Sequence, residues 1–143
     1  DLGHTYIKSV DEIKSVYDTV LVKDSEAWGD AIYNAFMIAP KRSPIIKAFV
    51  DHIARNIDVH AYGESMIDIT GPRALGRVYF DGTTRPDVKL LYLLFDNCEI
   101  NDGDTTVVKV KIENYEKTQQ LLYGDKKHYS KLWDERKVFS TRT

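Results

Sequence analysis

Cysteine occurs once in the 143 residues, at Cys98. A single thiol excludes an internal disulfide and a cysteine-built zinc site, and its plain reading is a small buried side chain. No apolar stretch approaches the roughly 18 to 20 residues that span a bilayer, and the first residues lack the basic and apolar regions of a signal peptide. A surplus of charge is missing as well: 20 basic residues stand against 22 acidic ones, a formal net charge of -2. There is then no basic field for nucleic acid or an anionic membrane surface, and neither is an expected partner. Internal repeats, low-complexity segments and a composition break between domains are also absent.

What the chain does have is a core. Hydrophobic residues make up 43% and aromatic ones 11%, enough at this length for one globular domain over residues 1–143. Short strands are expected at Thr5–Lys8 and Thr19–Lys23, with a helical turn in "VDEIKSVYD" between them. A further strand-like run covers Ala31–Ala39 and ends at Pro40. The clearest helix runs from Pro44 to about Ile57, with Ser43 as N-cap and Ile45, Ile46, Phe49, Val50, Ile53 and Ile57 on a core face. A second helix begins near Pro72, with Thr70 as its cap, and runs to the turn at Asp81-Gly82. Lys89–Phe95 and Thr105–Glu113 read as two strands of a hairpin separated by the loop "DNCEINDGD", and "YEKTQQLLYG" reads as helical. Strands and helices mixed in this order indicate an α/β or α+β architecture.

Several chemical motifs fail on inspection. "GPRALGRV" has the glycine spacing of a phosphate loop, but Arg77 and Val78 stand where lysine and a metal-binding hydroxyl are needed. "CEINDG" offers Gly103 to a calcium loop, yet Cys98 and Ile100 occupy ligand positions. His52 and His60 are not at the spacing that aims two imidazoles at one zinc, so surface or capping roles suit them better. No "GxSxG" turn presents a nucleophile. Asn34, in "YNAFMIAPKRSP", is the odd polar residue. At the head of an apparently buried strand its amide needs hydrogen-bond partners or costs about 1–3 kcal/mol, so it serves either packing or a ligand.

Read in series, "DLGHTYIKSVDEI", "IYNAFMIAPKRSPIIKAFVDHI", "YGESMIDITGPRALGRVY" and "HYSKLW" resemble, in order, the D-x-D-containing sugar transferases of glycosyltransferase family 32. The resemblance extends from Asp1 to Trp133. It implies a GT-A-like mixed sheet with flanking helices, lacking here the N-terminal nucleotide-binding half. It also implies transfer of a sugar from a nucleotide-sugar donor to a glycan or other hydroxyl acceptor, with retention of configuration. Mn²⁺ or Mg²⁺ is the implied cofactor, offsetting charge on the diphosphate leaving group.

By the same resemblance, the D-x-D positions are Asp1 and Gly3, so the second acidic residue is absent. Asp1 and His128 become the candidate metal contacts, and Asn34, Thr70, Gly71, Pro72 and Trp133 the candidate sugar-binding residues. No catalytic residue is assigned. Each has an ordinary alternative: Asn34 as a structural amide, the Thr70–Pro72 turn as a helix start, and His128 as a surface histidine. A second reading of the whole is a non-catalytic carbohydrate-binding or scaffolding relative that has lost its metal site. Since the chain begins with Asp1 instead of methionine, an upstream piece is expected. The expected compartment is the cytoplasm, or the Golgi lumen if that piece carries an anchor.

Overall fold

The computed structural model of the chain describes residues 4–6, 11–12, 17–94, 96, 99–103, 105–110 and 128–139. Within them, β1 (His4–Tyr6), β2 (Thr19–Lys23), β3 (Val88–Leu94), β4 (Glu99–Asp102) and β5 (Thr105–Val110) form one sheet in the order β1-β5-β4-β3-β2. The helices are α1 (Pro44–Asp58), α2 (Pro72–Tyr79) and α3 (Tyr129–Asp134), and a 3-10 turn covers Glu26–Trp28. Strands β2 and β3 are parallel, with Leu21 opposite Leu90 and Val22 opposite Leu91, and every other pairing is antiparallel. Parallel neighbours need a crossover. Here α1 and α2 supply it, giving a mixed α/β fold.

The sequence of β2 explains its place. Val20, Leu21 and Val22 are all fully buried, the unbroken apolar run of a strand covered on both faces. Leu21 packs with Ile32, Ile45, Phe49 and Leu75 beneath the helices. Val20 and Val22 turn to the other face and meet Phe36, Leu91, Leu93 and Ile100, with Tyr33 and Ile38 packed alongside. Burying each such side chain contributes about 1.5–3 kcal/mol.

Four expectations change. The Ala31–Ala39 segment is no continuous strand: it touches β2 through isolated antiparallel bridges at Lys23–Ile32 and Val20–Ile38. Between those bridges lie five residues, 33–37, against two of β2, Leu21 and Val22, so Asn34 and Ala35 loop out as an exposed turn. Met37 is exposed too, while Phe36 is buried. The "DNCEINDGD" loop contains β4, which separates the two strands expected to pair; the hairpin is β4–β5, turning at Gly103 with φ of 68°. Its aspartate-glycine turn suits the left-handed backbone there.

The helix faces and caps also differ from expectation. Ile45 and Phe49 are buried, but Val50 is 59% and Ile57 45% exposed. Val50 lies about 100° around the helix from Phe49, beyond what the sheet covers, and Ile57 falls on the same side. Ser43 occupies the N-cap position of α1 without making a side-chain cap bond, and its buried hydroxyl has no partner among the described residues. Gly71, not Thr70, is the N-cap of α2, and Thr70 is exposed. The expected helix in "YEKTQQLLYG" lies outside the described residues.

Candidate functional site

The segment between α1 and α2 is organised around one buried carboxylate. Asp68, its side chain only 2% exposed, accepts the backbone N–H groups of Glu64 at 2.7 Å and Ser65 at 2.8 Å through Oδ2. Its Oδ1 faces Arg73 Nε at 3.2 Å and Arg77 Nη2 at 3.5 Å. Gly63 makes this turn possible twice over: φ is 65°, and a Cβ there would collide with the Asp68 side chain. The same loop is tied to α1, because Asn56 Nδ2 donates to the carbonyls of Asp68 at 3.2 Å and Ile69 at 2.9 Å. Arg73 also reaches Glu64 at 2.9 Å. Two arginines on successive turns of α2 thus hold a loop whose own backbone cradles their counter-ion.

The start of α2 receives the chain that follows β2. Ile32 donates its N–H to the Pro72 carbonyl at 2.9 Å. One turn further along, Gly76 is buried against the Asp30 carbonyl, which a Cβ would overlap. Gly71 is confined less severely, its missing Cβ pointing at the Ile67 carbonyl 2.9 Å away. The glycines of "GPRALGRV" therefore serve backbone packing in this fold, not a phosphate cradle.

Helix α3 docks on the other side of the loop. Trp133 donates its indole N–H to the Tyr62 carbonyl at 2.8 Å, and Val138 donates its N–H to the Tyr62 hydroxyl at 3.2 Å. Phe139 stacks on His60 with ring centres 4.6 Å apart and meets Tyr62 edge-on at 5.3 Å. Arg136 lies 4.6 Å from the Tyr62 ring centre and 4.9 Å from that of Trp133. Contacts of this kind each contribute about 0.5–1 kcal/mol when exposed.

The residues singled out in the sequence are placed unevenly. Gly71 and Pro72 lie at the junction with Ile32, and Thr70 projects into solvent beside them. Trp133 joins the same loop at Tyr62. Asn34 corrects its own premise: it is exposed in the turn after the Ile32 bridge, so water satisfies its amide and no burial cost arises. His128 caps α3, its Nδ1 lying 2.8 Å from the Ser130 hydroxyl and accepting the Ser130 N–H at 3.3 Å. Asp1 lies outside the described residues.

Among the described residues no group of three or more His, Cys, Asp or Glu side chains is arranged to hold a metal ion. With one nitrogen of His128 engaged in capping, that donor set does not by itself fit Mn²⁺ or Mg²⁺. Nor is any helix among the described residues long and apolar enough to cross a membrane. Two titratable groups are shifted nearby. Burial raises the Asp24 carboxyl at the end of β2, against the opposing effect of the Ser25 N–H it accepts at 2.7 Å. Burial lowers the His52 imidazole, aided by the positive charges of Arg55 and Arg77.

Sequence reasoning missed Asp68, Tyr62 and Asn56. A signal for the first did exist: an aspartate five residues after a glycine, followed by arginines spaced i and i+4 on a helix beginning at proline. Tyr62 and Asn56 left none, because their partners are carbonyls and a distant helix. Comparison of the chain with protein-family models, with curated proteins and with solved structures gave no match.

Proposed function

We propose that this chain is the C-terminal catalytic portion of a nucleotide-sugar-dependent glycosyltransferase of the family 32 type, with a GT-A-like sheet and transfer with retention. The observation that carries this reading is a convergence. Three of the four segments behind the resemblance, far apart in sequence, are tied to one loop: "IYNAF" through Ile32 to Pro72, "YGESMIDITGPR" around Asp68, and "HYSKLW" through Trp133 to Tyr62. An arrangement that gathers glycine turns, arginines and aromatic rings at one place suits a polyhydroxylated ligand, where orientation depends on a few placed polar groups. The described residues offer no ligand set for a divalent ion, so the role proposed for them is to bind and orient sugars.

The test is to incubate the chain, with its upstream nucleotide-binding half restored, with UDP- and GDP-linked sugars, with and without Mn²⁺, and to follow both Tm and release of nucleoside diphosphate. A Tm increase with one donor and sugar transfer to a glycan are expected. In the Asn34→Ala variant, transfer should fall by about tenfold, the equivalent of roughly 1.4 kcal/mol, with Tm unchanged because the amide is exposed. No Tm response and no transfer with any donor would overturn the proposal. Sugar binding indifferent to chelator and without transfer would identify a non-catalytic carbohydrate-binding relative instead.

A further inference from the structure

An open cleft of about 450 Å³ is lined by Trp28, Gly29 and Asp30, which follow β2, and by Arg73, Gly76, Arg77 and Phe80 of α2 and its C-cap. Ligands of α/β folds gather at the carboxyl ends of parallel strands, and one wall of this cleft, Trp28 to Asp30, belongs to the chain that leaves the carboxyl end of β2. Its volume falls in the range of about 300–1,000 Å³ usual for small-molecule sites. From this, the geometry points to a binding subsite for a neutral saccharide, with Trp28 as the platform for a pyranose ring. The inference rests on the transferase reading only for its role as an acceptor subsite; the binding itself stands on the cleft.

The chemistry of the lining selects the ligand class. Trp28 is 41% exposed, so part of its indole face is open to a ligand in the cleft. Phe80 adds a second ring, with the Lys23 ammonium 5.8 Å from its centre. Apolar C–H faces of a sugar ring stack on such surfaces, while its hydroxyls need donors and acceptors at the rim. The Arg77 guanidinium, half exposed, supplies donors, and the exposed Asp30 carboxylate supplies an acceptor. The floor is Gly76, where the absence of a side chain lets the Asp30 backbone and α2 meet.

Charge balance decides against a phosphate or other anion. Lys23, Arg73 and Arg77 stand around the cleft, but Asp68 and Glu64 already pair with the arginines and Asp30 adds another carboxylate. The local field is close to neutral, so a charged ligand gains little from it. A polyhydroxylated neutral molecule uses every group present.

The experiment is titration of the ¹⁵N-labelled chain with methyl α-glycosides of glucose, galactose and mannose and with the disaccharides lactose and maltose. The two tryptophans give two indole N–H signals, and a Trp28→Phe variant assigns them. Saturable movement of the Trp28 signal with a dissociation constant of roughly 1–10 mM is expected for at least one sugar, with the Trp133 signal still. Asp30→Asn and Arg77→Gln should each weaken that affinity by about tenfold. No saturable movement with any probe, or movement at Trp133 alone, would overturn the inference. Inorganic phosphate is included: if it moves the Trp28 signal and the sugars do not, the cleft is an anion site and the inference fails. Saturable sugar binding at Trp28 in a chain that transfers no sugar keeps the subsite and removes the transferase reading. Transfer with unchanged acceptor KM in Trp28→Ala does the reverse.

Discussion

Trp133 and Tyr62 are 71 positions apart in the sequence, yet the Trp133 indole N–H meets the Tyr62 carbonyl at 2.8 Å. This bond anchors α3, a helix of six residues and too short to persist alone in water. Trp133→Phe removes the donor and leaves a carbonyl unpaired, a loss of about 1 kcal/mol. Trp133→Ala also removes the ring beneath Arg136. Hydrogen exchange of the α3 amides should quicken by about fivefold in the first variant and approach the unprotected rate in the second, while amides of β2 and β3 keep their protection.

Gly76 is a second fixed point. Alanine is ordinarily the better helix residue by about 1 kcal/mol, but a Cβ at position 76 would overlap the Asp30 carbonyl. Backbone cannot rotate aside as a side chain does, so Gly76→Ala should destabilise the chain by about 3 kcal/mol despite the propensity gain. Gly82→Ala is the comparison: nothing lies within 4 Å of its new methyl group, and only the φ of 89° opposes it. Its cost should be about 1 kcal/mol. Urea unfolding of the two variants measures the difference.

For Asp68 the prediction separates charge from shape. Asp68→Ala leaves the Glu64 and Ser65 N–H groups without their acceptor and deprives Arg73 and Arg77 of their shared partner. With the carboxylate buried, the loss should be about 3–5 kcal/mol. Asp68→Asn keeps an acceptor for the loop and should lose about 1–2 kcal/mol. A double-mutant cycle with Arg73→Gln, followed by urea unfolding, gives the coupling; a value near zero would mean that the loop bonds alone make Asp68 important.

Local rules made some of this visible in the sequence and hid the rest. Serine-proline and glycine-proline steps marked the starts of α1 and α2, and the β-rich run Thr19–Lys23 marked a strand, whose burial on both faces only the fold shows. β4 was hidden because it buries essentially one side chain, Ile100, among acidic and polar neighbours. Asn34 was misplaced for a different reason. The apolar residues around it suggested a regular strand, but the bridges to β2 at both ends leave more chain than pairing can use, and the surplus turns outward. Of the candidate site, the "TGP" turn was legible as a helix start, whereas its contact with Ile32 is set by tertiary packing. Asp68 was passed over as one acid in a loop, since its value depends on arginines placed one and two turns into the next helix.

His52 gives the pH dependence. Its Nε2 is buried without a hydrogen-bond partner among the described residues, and burial, then Arg55, then Arg77, lower its pKa from the ordinary 6.5. The unfolded chain therefore binds this proton at a higher pH than the folded chain does. Stability from this residue is complete above about pH 6.5 and is lost as the pH falls through the lower folded value. Across that window unfolding should be linked to uptake of at most one proton by this group. In His52→Gln, which cannot titrate, the decline of Tm between about pH 7.5 and pH 5 should be shallower than in the parent chain. Identical slopes for the two would show that the imidazole is protonated equally in both states, and that other carboxylates and histidines account for any acid sensitivity.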